Sequence, residues 1–438
     1  MSGKSNIAVL GGGPMGLAAA LRLLKQGHHV SIFEAGDRLG GMTASFDFDG
    51  LRIERFFHFL CATDHDYFDL LVELGIEDKL HWVNTRMGVF HEGKLYNWGE
   101  PFALLKFPGL NLIEKIRYAL KVLYCKNLKS FDALDHKKAT VWLQKWLGAR
   151  AYKLLWDPLM SLKFYQLQNE VSAAWIAARV QRVAHSRESL FKEKLGYLEG
   201  GSDTFLFAME AAIRQSGGEI HLSAPVERVQ VSNNRVTGLR INNADRAFDK
   251  VISTIPLPYV AKIIPDLPKD DLQKLEGQRN VGVVTVKLKL ERQLTPYFWL
   301  NLTDTQYGIP GVIEYSNLNP LEDTIVYVPY YMPQDNIKFS WDVEQFRAET
   351  VRCLQAINPA FSESWIKALH ISRYFYAQPV CVPGFLSTLP SMKSRIEGFF
   401  MADTSYCYPQ DRSITESVKL GNQLAEMASG VDKSDLHG

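Results

Sequence analysis

Asn6-Ile7-Ala8-Val9-Leu10-Gly11-Gly12-Gly13-Pro14-Met15-Gly16 opens the chain as a short apolar run that stops at glycine. The run is too uniformly apolar for a half-exposed strand and suits a buried parallel one. Gly11, Gly13 and Gly16 fit G-x-G-x-x-G, and Leu17 to Leu24 continue with the Ala and Leu content of a close-packed helix. The three glycines serve different steric ends. Gly11 makes the tight turn, Gly13 lets backbone approach a pyrophosphate, and Gly16 lets the helix sit against the sheet. Pro14 and Met15 begin the helix whose N-terminus faces the phosphates. Alone, the pattern is also that of a glycine-rich turn with no ligand. Its surroundings argue otherwise: Gly27 closes the helix, His29-Val30-Ser31-Ile32-Phe33 supplies a second strand, and Glu34 follows 18 residues after Gly16. A carboxylate there accepts both ribose hydroxyls of a dinucleotide and disfavours a 2′-phosphate, which excludes NADP.

Directly after Glu34, Ala35-Gly36-Asp37-Arg38-Leu39-Gly40-Gly41 completes ExxxRxGG. The extension resembles that of the flavin amine oxidase, protoporphyrinogen oxidase and phytoene desaturase superfamily. The resemblance implies non-covalent FAD, with Arg38, Gly40 and Gly41 along its diphosphate. Met42 stands where many members carry a second Arg or Lys.

Three later segments extend the likeness. Tyr197-Leu198-Glu199-Gly200-Gly201-Ser202 resembles the mid-chain GG segment, and Pro225-Val226-Glu227-Arg228-Val229 the strand whose backbone at Val226 lies beside the adenine. The alternation around Asn233-Asn234 resembles a hairpin laid over the sheet. Gly398-Phe399-Phe400-Met401-Ala402-Asp403 resembles the strand whose acid, here Asp403, meets the ribityl chain or diphosphate. Ile414 and Thr415 begin a segment similar to the closing helix, whose first amides point at a flavin carbonyl. A helix N-terminus there stabilises the negative charge that a flavin gains on reduction.

At 438 residues the chain exceeds what one core usually serves. The expected fold is α/β. An FAD-binding Rossmann-type domain (1–60, 196–264 and 391–438), with a parallel sheet, helices and a β-meander, is interleaved with a mixed α+β substrate domain (61–195 and 265–390). The substrate domain is helical first and strand-rich later. A net charge of +1 excludes a nucleic-acid partner, which calls for a basic excess. Five scattered cysteines, never in C-x-x-C, read as reduced thiols of a cytoplasmic protein without a metal site. Neither a secretory leader nor a membrane span is readable.

Candidates for chemistry are fewer. Arg55 and His58, in Gly50-Leu51-Arg52-Ile53-Glu54-Arg55-Phe56-Phe57-His58-Phe59, fall where the family chain passes the isoalloxazine. For His58 the plain reading is a satisfied core histidine, and for Arg55 a phosphate or carboxylate partner. Lys287, in the alternating run Val283 to Leu290 with Thr285 and Lys289 on its side, is a candidate for the lysine that many amine oxidases hold near flavin N5. A solvated strand lysine is the ordinary reading. Amine oxidation implies an aromatic pair with one member near Ser413, where none stands; Tyr374, Tyr376, Tyr406 and Tyr408 are near in sequence. Tyr376-Ala377-Gln378-Pro379 and Pro383-Gly384 lie closer to the protoporphyrinogen oxidase side. Cys381 and Cys407 read as small buried thiols rather than as flavin attachment points.

Phe102 to Phe131 interleaves apolar residues with Lys106, Lys115, Arg117, Lys121, Lys126 and Lys129. Such a segment docks on an anionic membrane to admit a lipid-like substrate, or covers a substrate domain. The expected activity is dehydrogenation of a small or lipid-like organic substrate by hydride transfer to flavin N5. The rivals are a non-redox sugar-nucleotide mutase resembling UDP-galactopyranose mutase, with Arg179, Arg182 or Arg187 binding the diphosphate, and a flavin-binding partner subunit without catalysis.

Overall fold

In the computed structural model, which describes residues 3–189 and 192–430, the opening apolar run is strand β1 (Asn6–Leu10), buried from Ile7 onward. Helix α1 (Pro14–Lys25) follows at once. Pro14 in its first turn loses no hydrogen bond, because the first helical N–H groups have no partner within the helix. With β2 (His29–Phe33), β3 (Glu219–His221), β4 (Lys250–Ser253) and β5 (Phe399–Met401), β1 forms one parallel sheet in the order β3-β2-β1-β4-β5. That is the order of a doubly wound dinucleotide sheet, whose crevice opens at the strand C-termini where the winding reverses, between β1 and β4.

A three-stranded antiparallel meander, Val226–Ser232, Arg235–Ile241 and Ala244–Ala247, accompanies it. Both of its turns are Asn-Asn pairs with positive φ (Asn233 49°, Asn234 60°, Asn242 50°, Asn243 60°). Asparagine tolerates this left-handed backbone, which two-residue hairpins require.

The second large layer is a seven-stranded sheet. At its heart the strand Asn280–Leu290 pairs with Thr324–Pro333 on one side and Ile366–Pro379 on the other, and every one of its residues is buried. This corrects the ordinary reading of Lys287 as a solvated strand lysine: it is 0% exposed, and Lys289 beside it 9%. One face packs on a cluster that includes Val286, Leu288, Phe346 and Leu354, while the lysine-bearing face lies under the hairpin Ser45–Glu54. Period-two alternation marks two different faces, and here neither is open to water.

Between 101 and 185 the chain is helical, with α2 (Leu112–Lys126) packed along α3 (Ala173–His185). Among the described residues no helix is long and apolar enough to cross a membrane. The last helix, α4 (Ile414–Ser429), lies against α1. Gly421 makes the approach close: a methyl group there would overlap the Met15 carbonyl oxygen and sit 3.0 Å from Ala18 Cβ and 3.1 Å from Ala19 N.

Gly421→Ala is therefore expected to destabilise the protein although alanine favours a helix by about 1 kcal/mol. Overpacking against backbone costs roughly 1–3 kcal/mol, and it outweighs the propensity. A thermal melt should shift downward by several degrees; an unchanged or raised melting point would show that α1 and α4 are not held this closely.

Candidate functional site

One cavity of about 1640 Å³ runs between the crevice at the switch point and the helical segment. Its first wall is the nucleotide cradle. Gly11 has φ +102°, and a methyl group there would stand 2.7 Å from Thr254 Oγ1. A methyl on Gly16 would overlap the Gly11 carbonyl oxygen, so α1 touches the strand end backbone to backbone. At Gly13, by contrast, nothing lies within 4 Å, and the residue lines the cavity with Pro14 and Met15. A tight turn with open space only at the middle glycine fits the approach of a pyrophosphate to a helix N-terminus.

Glu34 lines the same wall. Its Oε2 accepts the Gly12 N–H at 2.7 Å and its Oε1 the Gly36 N–H at 2.7 Å. Each oxygen retains lone-pair capacity for a ribose hydroxyl. Ala35, Gly41, Met42, Val226, Asp403 and Ile414 also line the cavity. Asp403 turns its oxygens to the backbone N–H groups of Leu257 (3.0 Å) and Ser405 (2.8 Å), and burial pushes its carboxyl above the usual range. Ser413 caps α4, its Oγ accepting the Glu416 N–H at 3.2 Å, so the helix N-terminus opens on the cavity.

Three of the expected contacts sit behind this wall. Arg38 donates to the Ser45 carbonyl and lies 3.8 Å from Asp203, bracing the loop after β2. Gly40, at φ +117°, makes room for Leu206. Thr415 accepts the Tyr67 N–H at 3.2 Å.

Arg55 and His58 line the same cavity. Glu54, 5% exposed, accepts the His58 backbone N–H at 3.0 Å and lies 3.0 Å from His58 Nδ1. It also takes the Ser202 N–H at 2.9 Å and the Ser202 hydroxyl. A carboxylate accepts, so the Glu54 contact assigns the donor of this pair to His58 Nδ1 and leaves Nε2 outside the pair. Lys287 sits just behind the wall, donating to the Arg55 carbonyl at 3.2 Å and to the Ser372 hydroxyl. Burial, then the charge of Arg55, pushes its ammonium down to about 7. His370 beside it is lowered to about 4, by burial and then by Lys287 and Arg55.

Sequence reading missed a second group. Tyr331, Lys163, Asp411 and Arg412 line the cavity together with Arg179 and Arg182, while the side chain of Arg187 lies outside the described residues. The position of Asp411 and Arg412, just before the cap of α4, is the signal that could have found them. Of the four tyrosines near the chain end, Tyr374 and Tyr376 face the cavity, the latter edge-to-face with Tyr259 at 4.9 Å. Tyr406 and Tyr408 instead donate to the Pro390 carbonyl and the Asp135 carboxylate.

Trp98, Leu104, Leu105, Ile116 and Leu123 add an apolar stretch to the lining. Sequence order alone left open whether the apolar side of this segment covers the interior. Both features are present: Ile113 (69% exposed), Ile116, Leu120 and Leu123 form a partly exposed stripe of helical spacing on α2, beside exposed Phe102 and Leu105, while Leu105, Ile116 and Leu123 also line the cavity.

The sequence profile described as flavin containing amine oxidoreductase matches residues 16–410. A zeta-carotene desaturase of Synechocystis sp. is 26% identical, with 96% of each chain covered. A probable zeta-carotene desaturase of Synechococcus elongatus is 26% identical over 66% of each chain. The crystal structure of a putative protoporphyrinogen oxidase from Exiguobacterium sp. 255-15 superposes with a TM-score of 0.74 at 20% identity, covering 99% of this chain and 100% of that one.

The buried lysine predicts a pH dependence of stability. An unfolded chain keeps the Lys287 proton up to about 10.5, whereas the folded chain releases it near 7. Between those values the unfolded state binds more protons, so stability rises with pH, by at most ~1.4 kcal/mol per pH unit. Urea melts of the wild type and Lys287→Met at pH 7 and pH 9.5 should show that the variant lacks this rise; equal slopes would mean that Lys287 stays protonated.

Proposed function

We propose that this chain, which belongs to the flavin containing amine oxidoreductases, is an FAD-dependent dehydrogenase acting at a C–H bond of an apolar, lipid-like substrate. The observation that carries this reading is the continuity of the cavity: the cradle of Gly13 and Glu34 and the apolar wall under α2 belong to one space. FAD-dependent oxidoreduction is the chemistry of the family, and bound FAD supplies the acceptor for a hydride. The chain's own residues do the rest. Gly11, Gly13, Pro14, Met15 and Gly16 hold the pyrophosphate at the N-terminus of α1, and Glu34 takes the ribose. Val226 would line the adenine end, and the N-terminus of α4 at Ile414 and Thr415 would face the flavin.

Phe57, Phe59 and Trp299, packed edge-to-face at 5.5 and 6.2 Å, exclude water. His58 Nε2 is the group poised to take a proton from the substrate, with Glu54 holding its ring. Arg55 supplies positive potential beside it, and Lys287, whose ammonium is pushed down to about 7, braces the Arg55 carbonyl. An amine substrate fits less well: Arg412 and Ser413 stand where an aromatic would enclose its nitrogen, and a cation repels an ammonium. The nucleotide unit would comprise 1–60, 196–264 and 391–438, and the substrate unit the remainder. Arg179 and Arg182 are each held by a carboxylate, Asp411 and Asp64, which speaks against their serving a sugar-nucleotide mutase.

Purified protein should release FAD on denaturation, and anaerobic mixing with a lipid-like polyene should bleach its visible band. His58→Ala should retain FAD and slow bleaching by roughly 10²-fold or more, the usual contribution of a positioned acid or base. Bleaching by amines alone would refute the reading, and turnover only after prereduction would favour the mutase.

The exposed stripe of α2 fits an anionic bilayer, with Lys106, Lys115, Lys126 and Lys129 around it and the cavity behind it. Vesicles containing phosphatidylglycerol should sediment the protein, and Ile113→Glu with Ile116→Glu should abolish this without lowering FAD content. Equal sedimentation of the double variant would remove the stripe from membrane contact.

A further inference from the structure

Four cations surround one part of the cavity, Lys163, Arg179, Arg182 and Arg412, and among the described residues two carboxylates, Asp64 and Asp411, line the cavity beside them. Arg182 holds Asp64 at 3.0 Å to both oxygens, and Arg179 holds Asp411. Burial would raise the Asp411 carboxyl, but Arg179, Lys163, Arg412 and Arg182 together hold it down at about 2. Both acids are thus spoken for.

Lys163 and Arg412 share one amide oxygen, and Arg412 adds only the Tyr331 hydroxyl and a long approach to Asp411, which already pairs with Arg179. Lys163 Nζ is 3.3 Å from Gln378 Oε1, its hydrogen bond among the described residues, and lies over the Tyr331 ring at 4.6 Å and the Trp175 ring at 5.0 Å. Arg412 Nη1 donates to the same Gln378 Oε1, and its Nη2 reaches the Tyr331 hydroxyl at 3.4 Å. Its nearest carboxylate oxygen, on Asp411, is 3.8 Å away. Lys163 is 4% exposed, and that remnant faces the cavity.

An ammonium has three donors and a guanidinium five, whereas a single amide oxygen offers two lone pairs. Taking a cation out of water without a counter-charge costs several kcal/mol, and the rings over Lys163 return only about 1–2 kcal/mol of it. Burial and the adjacent guanidinium groups accordingly push the Lys163 ammonium well down.

We infer that Lys163 and Arg412 form a recognition site for an anionic head group, a carboxylate or a phosphate, on the substrate of this enzyme. The inference rests on the dehydrogenase reading and narrows it: the substrate is an amphiphile rather than a hydrocarbon. Its charged end lies beside the residues that precede α4, and its apolar remainder lies along Trp98, Leu104 and Ile116. Arg179 and Arg182 hold Asp411 and Asp64 at close range, so that Asp411 reaches Arg412 only at 3.8 Å and the positive charge around Lys163 and Arg412 stays in excess.

Titration of the FAD-loaded protein with dodecanoate, dodecyl phosphate and dodecanol, followed by the shift of the visible flavin band and by calorimetry, tests this. At least one acid should bind ten-fold or more tightly than the alcohol, and the better of the two identifies the head group. Lys163→Met and Arg412→Gln should each weaken that acid ten-fold or more and leave dodecanol unchanged, while Arg412→Lys restores part of the loss. Equal binding of acid and alcohol, or an acid preference that survives both variants, overturns the site. FAD content and melting temperature show that each variant is folded. Because calorimetry reads binding without turnover, acids that bind yet never bleach the flavin would count against the dehydrogenase reading and leave the site standing.

Discussion

Backbone meets backbone where α1 leaves β1, and much of the molecule is arranged around that contact. Only a hydrogen at Gly16 lets the helix touch the Gly11 carbonyl, and only a hydrogen at Gly421 lets α4 lie on the Met15 carbonyl. Without side chains to keep them apart, two helices and a strand end converge within a few ångströms. Both helix N-termini then open on the same cavity. Whatever precedes α4 in the chain is carried to that cavity as well, which is how Asp411 and Arg412 arrive beside it.

The substrate side follows a different logic, that of cations removed from water. Lys287, Lys289 and Lys163 are all buried, and each resolves its charge differently. Lys289 meets Asp49 and Asp323 at 3.2 and 3.0 Å. Lys287 has oxygen acceptors but no carboxylate, and its proton becomes loose near neutral pH. Lys163 shares its acceptor with an arginine. A buried cation is tolerated in proportion to what surrounds it, and the least compensated of the three is the one that faces the cavity. The apolar stripe of α2 presents the converse imbalance, hydrophobic surface left partly in water at the border of the same cavity.

The cofactor side was legible in the sequence because its geometry is local. Gly11, Gly13, Gly16 and Glu34 lie within one strand-helix-strand unit, so spacing alone sets their relative places, and Glu34 does line the wall with Gly13. The hairpin at Asn233-Asn234 was readable for the same reason: a two-residue turn imposes its register on the strands beside it. Arg38 and Thr415 matched the pattern in type and position, yet the structure gives them to Ser45 and Tyr67, partners that no local rule specifies.

Sequence by itself determined the doubly wound sheet, the cradle and the dinucleotide they imply, because steric demands on glycine and the periodicity of apolar residues act over a few neighbours. Tertiary structure alone decided which faces stay wet and which charges lack partners. The alternation from Val283 to Leu290 has the same form whether one face or neither meets water, and the basic amphipathic pattern of α2 is the same whether its apolar stripe turns inward or out. Lys163, Tyr331, Gln378 and Arg412 come from four distant segments. Charge balance in a cavity depends on distances through space, and those exist only once the chain has folded.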